Sequence, residues 1–361
     1  MYKEIANRII EEALNIAEED SVVISAWEHT VDFASALASE IQKTGADVLI
    51  LTETDDLYVS TLTELPDKFL RKPQKLSIAL LDAQTVGIAT PYPKDPAIFE
   101  KMPKERFGIL GERFIPYDKK NIERKVRSID IQIGLVTPER AKIYGLDYDF
   151  WMAEMTDSLA VSYMELKKFG TQIAERLDKA QEVHVQASGG TDVKFKVSGR
   201  NAHIFDGVVD SEDITKGRRT GRLPAGSVSI APLETSTMGK VVANIPKGMT
   251  AKWIKNLEWN FEDGLLKTWN ASENFEIWDN FYKGGTGDKN RIAAFDLGIN
   301  PKAKTGFFHD SIVKGVVTIR IGDNKYLGGA NEASITDFLS ITDATVKLDG
   351  QIILENGQYR I

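Results

Sequence analysis

At 361 residues the chain exceeds what one ordinary core supports, so two domains are the first expectation. Apolar residues make up 42% and charged residues 27%, a normal globular balance, and the formal charge of −8 argues against nucleic acid, which calls for a basic face. Cysteine is absent, which excludes disulfides, thiolate metal sites and cysteine nucleophiles; only His29, His184, His203 and His309 are left for imidazole chemistry.

The opening MYKEIANRIIEEALNIAEED is charged throughout, which excludes a signal peptide. Its apolar spacing (Ile5, Ile9, Ile10, Leu14, Ile16) predicts an amphipathic helix. No apolar run approaches membrane-spanning length, so a cytoplasmic protein with no membrane partner is expected. SVVISAW (21–27) reads as a buried strand, VDFASALASEIQKTG as a helix ending at Gly45, and ADVLILT as the next strand. A further apolar run, KLSIALLDA, follows Pro73. Strands alternating with helices predict an open, mostly parallel sheet. The turn after the first strand, AWEHT, lacks a glycine-rich fingerprint, so no nucleotide cofactor is indicated; His29 there reads as a helix-start surface residue, with cleft lining the alternative.

From Asp147 to about Ala180 the pattern is helical, and Trp151, Met152, Met155, Tyr163 and Met164 recur at core spacing. The texture then changes. EVHVQAS and DVKFKVSG alternate strictly around SGGT and read as a hairpin, with further strands at SVSIAP, KVVANI, WIKNLEWNF, GVVTIRIG, ATVKLD and QIILE. KGGTGDKN reads as a loop. The expected organisation is an α/β domain over 1–180 and a strand-rich α+β domain over 181–361.

The second half carries GGTDVKFKVSGR, LPAGSVSIAPLETSTMG, NFEDG, DLGINP, VVTIRIG and GGAN in that order. Together these segments resemble the thermophilic metallo-aminopeptidases of the aminopeptidase T and aminopeptidase S type. The resemblance implies a C-terminal domain holding a two-metal peptidase site and a homodimer enclosing an internal cavity. In such a site carboxylates bridge two cations, imidazoles complete the coordination, and the metals activate water.

Carried over residue by residue, the family's ligand positions are all substituted. The glutamate of the Gly-Glu-Val step is Ser227. The glutamate seven residues before Pro301 is Ala294, and the histidine of the Ile-x-x-Gly turn is Thr318. The final histidine and aspartate, five and seven residues after Asn331, are Thr336 and Phe338. Asp296 shares the strand face of Ala294 if the segment is extended, although a surface or turn-capping role is the plainer reading. A one-residue register shift would bring Asp337 onto the aspartate position, the plainer reading being a loop or helix start for Thr336 and Asp337. Glu234 reads as a structural carboxylate, and His309 as a solvated or satisfied histidine, with reach into the cleft the alternative.

The expectation is therefore a non-catalytic member of the family, a pseudoenzyme without cofactor. It would act as a binding, regulatory or assembly-forming homodimer or higher homo-oligomer with a peptide or small-molecule ligand. The alternative is a hydrolase with a relocated zinc, cobalt or similar site drawing on Glu234, Asp296, His309 and Asp337. A metal-free hydrolase using Ser227 lacks a visible base.

Overall fold

The computed structural model describes residues 2–215 and 217–361; Met1, the first residue of the expected N-terminal helix, lies outside them. Packing divides the chain into two compact units, Met1–Ser162 with Gly207–Pro224, and Tyr163–Asp206 with Ala225–Ile361.

In the first unit five parallel strands lie in the order Asp47–Glu53, Ser21–Trp27, Val86–Thr90, Arg127–Ile131, Thr220–Leu223. Alternation makes the Ser21–Trp27 strand an inner one: Val22, Ile24 and Ala26 are buried. The Val31–Gln42 helix buries Phe33, Ala34, Leu37, Ala38 and Ile41, a stripe at helical spacing. It ends ahead of Gly45, whose φ of 92° completes the turn. All five apolar residues of the N-terminal stretch are buried, on the Tyr2–Arg8 helix, the wider turn Ile9–Ala13 and the loop after it. KLSIALLDA forms the short helix Lys75–Leu80, and the strand that joins the sheet comes later, at Val86–Thr90.

The second unit is built on two antiparallel sheets. One has eight strands, in the order Leu265–Asn270, Glu258–Glu262, Met238–Val242, Thr191–Lys196, Glu182–Ala187, Thr345–Leu348, Gln351–Glu355, Gln358–Tyr359. The other has five: Thr336–Ile341, Val317–Gly322, Ile292–Gly298, Ser227–Ile230, His203–Phe205. The rings of Phe195 and Phe295, 5.4 Å apart, bring the sheets together over the unit's core. The SGGT hairpin forms as expected, turning at Gly190. WIKNLEWNF, read as one strand, is two: Lys252–Ile254 and Glu258–Glu262, separated by Asn256 in the left-handed region.

Sequence draws one boundary near residue 180, whereas the chain passes between units after Ser162, Asp206 and Pro224. Two placements explain this. The Tyr163–Leu177 helix sets Gly170 against Ile204, Val228 and Ile299, so its core is that of the second unit. The Thr220–Leu223 strand instead completes the first unit's parallel sheet beside Arg127–Ile131. The helical stretch is correspondingly two helices, Tyr148–Leu159 and Tyr163–Leu177. Trp151, Met155 and Tyr163 are core residues as their spacing predicts, Met152 is half-buried, and Met164 is exposed.

Gly298 ends the middle strand of the five-stranded sheet, and a Cβ there would stand 2.1 Å from the Val313 carbonyl oxygen, a backbone atom with little freedom to yield. Gly298→Ala is therefore expected to cost about 2–3 kcal/mol, read as a lower urea midpoint at unchanged slope; an unshifted midpoint would show that the Val313 loop is not packed this tightly.

Candidate functional site

The five-stranded sheet has one apolar face and one polar face. Val228, Ile230, Phe295, Leu297, Val317, Ile319 and Leu339 point towards the core, and the intervening residues point the other way. Directly paired residues share a face, so the register gives the polar side. One row across all five strands is Ser340, Thr318, Asp296, Ser229 and His203. A second is Phe338, Arg320 and Ala294, and Ser227 pairs with Gly298 in a third. Thr336 pairs with Gly322 at the strand's start.

All five carried-over positions, Ser227, Ala294, Thr318, Thr336 and Phe338, thus fall on this one face. Their side chains offer little to a cation. Ala294 packs with Ala231 and Leu327, and Thr318 Oγ1 shares a 2.8 Å hydrogen bond with Ser340 Oγ. Ser227 contributes a neutral hydroxyl, and Phe338 a ring.

What the face does carry is an ion pair. Asp296, fully buried, accepts a 2.5 Å hydrogen bond on Oδ2 from Arg320 Nε, while its Oδ1 is buried without a hydrogen-bond partner. The Arg320 guanidinium also lies over the Phe338 ring, 5.3 Å from its centroid. Burial alone would lower the Arg320 pKa, but the Asp296 carboxylate outweighs it and the net shift is upward, so this group is a fixed positive charge. Asp296 is therefore no surface or capping residue; it sits mid-strand, on the face of Ala294.

A second pair lies at the sheet's outer edge. Asp337 faces away from Thr336 and Phe338, in the strand Thr336–Ile341 rather than in a loop or helix start. Its Oδ1 is 2.6 Å from Lys247 Nζ, and its Oδ2 accepts a 2.5 Å bond from Trp278 Nε1. Lys247 Nζ is also 3.8 Å from the Phe338 ring centroid. The register-shift alternative fails here, because a one-residue step turns the carboxylate to the other face.

The other candidates are dispersed. Glu234 follows the Ser227–Ile230 strand and ties three segments together: Oε2 is 2.7 Å from Arg200 Nη2, and Oε1 accepts from the Ala330 backbone N–H at 2.7 Å and from Asn324 Nδ2 at 3.1 Å. His309 is buried beside the short turn Asp310–Ile312, off the strands. His184 bonds Asp192 on the eight-stranded sheet, and His29, half-buried rather than at the surface, sets Nε2 3.0 Å from the Gly134 carbonyl.

Among the described residues no three of His, Asp and Glu gather as a metal site requires. The donor set on this face does not fit two divalent ions, since its one carboxylate is already engaged by Arg320. Sequence reasoning missed Arg320, Lys247 and the place of His203 in the polar row. The available signal was polar residues at alternate positions of apolar strands, as in SVSI, FDLG and VTIRIG.

Residues 150–289 match the family model of the thermophilic metalloproteases, M29. The chain has the aminopeptidase T-type fold. Wild-type AmpT from Thermus thermophilus superposes with a TM-score of 0.76 at 18% identity, over 100% of this chain and 99% of that one. The 2,5-dihydroxypyridine dioxygenase of Pseudomonas putida superposes with a TM-score of 0.62 at 13% identity, over 99% and 96%. A comparison with curated protein sequences finds no match. The M29 segment contains Ser227 and stops at residue 289, ahead of the other four ligand positions of the aminopeptidase T type.

Partial burial alone would raise the Glu234 carboxyl, but the Ala330 N–H, Asn324 and Arg200 outweigh it and hold it below the usual glutamate range. A depressed carboxyl contributes stability that is complete above the unfolded pKa of about 4.3 and fades as pH falls through the lower folded value. Glu234→Gln should therefore lower stability at pH 7 by about 1–2 kcal/mol, with the gap to wild type closing at acid pH. Urea unfolding at a series of pH values checks this, and a gap constant into strong acid would contradict it.

Proposed function

We propose that this chain is a non-catalytic protein of the aminopeptidase T type, working as a homo-oligomer that binds a peptide or small molecule. The observation that carries the reading is the convergence of all five ligand positions on one face that supplies no free carboxylate. The resemblance to AmpT in fold does not weigh against it, since a dioxygenase shares that fold. Fold sets the frame, and the residues at the site set the chemistry. Hydrolysis through two metals needs anionic bridging ligands and a metal-bound water; serine, alanine, threonine and phenylalanine provide neither.

A relocated metal site receives less support. Asp296 and Asp337 are on opposite sides of the sheet, each with its own cation, Glu234 cross-links three segments, and His309 is off the strands.

Elemental analysis of protein purified with zinc and cobalt supplied should give metal well below one per chain, with no turnover of aminoacyl p-nitroanilides above background. Two tightly bound divalent ions per chain with measurable turnover would refute the reading. Light scattering on the same sample should give a mass of at least twice the 40.2 kDa of the chain; a monomer at all concentrations would remove the homo-oligomer.

A further inference from the structure

We infer that Arg320 is the resident cation of this face, carrying on a covalently attached side chain positive charge of the kind that metal ions bring to the family's site. The inference rests on the non-catalytic reading and concerns what stands in the metals' place. Arg320 is the direct cross-strand neighbour of both Ala294 and Phe338, two of the five ligand positions. The Phe338 ring suits a guanidinium, presenting a face to it. Lys247 approaches the same ring from the outer edge. Arg320 is held by Asp296, which lies two residues from Ala294 on the same face.

On this face one carboxylate and one guanidinium balance in charge without metal. A buried carboxylate requires such a partner, because an uncompensated charge in the interior is strongly unfavourable. Asp296 requires it more than most, since Oδ1 has no hydrogen-bond partner and Oδ2 relies on Arg320. A divalent ion would have to reach Oδ2 at about 2.0–2.2 Å, where the arginine Nε already stands at 2.5 Å, and on Oδ1 it would meet the repulsion of the same guanidinium. The pair therefore does two things at once: it stabilises the carboxylate and keeps metal out.

The test restores two ligands with and without the arginine. Cobalt(II) binding, by visible absorption and equilibrium dialysis, is compared for A294E/T318H, A294E/T318H/R320A and the latter with D296N added. Binding at least tenfold tighter once Arg320 is removed, and lost with D296N, is expected; equal affinity with Arg320 in place overturns the inference. Thermal melts of conservative variants decide the question even if those proteins fail to fold. Arg320→Met should lower Tm by roughly 10 °C, and D296N/R320M should recover more than half of that. If Arg320→Met melts no lower than its double variant, Asp296 does not depend on the arginine and the inference falls. That failure would leave the non-catalytic reading standing, whereas two metals with turnover in the wild-type protein would overturn both.

Discussion

The bond between Asp296 and Arg320 constrains everything around it. A carboxylate with no solvent exposure lies in the middle strand of a sheet, and a single arginine nitrogen satisfies one of its oxygens. Breaking a buried pair of this kind by removing one partner typically costs about 3–5 kcal/mol, whereas replacing both with apolar groups is often neutral. The pair is thus a mutual dependence more than a gain in stability. It sets a paired charge among neighbours that are small, neutral or aromatic.

The fold supplies the setting. The apolar face of the five-stranded sheet is committed to the core through the Phe195–Phe295 contact and the helix at Gly170. Pleating then obliges every intervening residue to point to the opposite side. On that opposite side the five positions carried over from distant segments meet. Here the same backbone brings together hydroxyls, an alanine, a phenyl ring, His203 and one aspartate already paired with an arginine. Glu234, which matches the family pattern, uses its carboxylate structurally, joining Arg200, Asn324 and the Ala330 amide.

Much of this was legible in the sequence, and the limits are physical. The parallel sheet and the SGGT hairpin followed from β-branched runs and strict alternation. Spacing also placed Asp296 on the face of Ala294, because an extended strand leaves no other choice. The register of one strand against the next was not legible. It is set by pairing across long separations, and it put Asp337 on the wrong side for a ligand and Arg320 opposite Ala294 and Phe338. Lys247 was invisible for the same reason: its two-stranded hairpin reaches the outer strand only after folding. The single boundary near 180 failed because local composition does not reveal that Thr220–Leu223 returns to the first unit's sheet.

A fixed side-chain cation thus stands on the face that gathers the five carried-over positions. An experimental structure of the wild-type protein crystallised with excess zinc, with anomalous scattering recorded at the zinc edge, tests this at the atoms concerned. No anomalous peak is expected beside Asp296 or Phe338, and an arginine nitrogen should lie on the Asp296 carboxylate. Zinc bound to Asp296, with Arg320 turned away, would show that the arginine does not hold the metal's place.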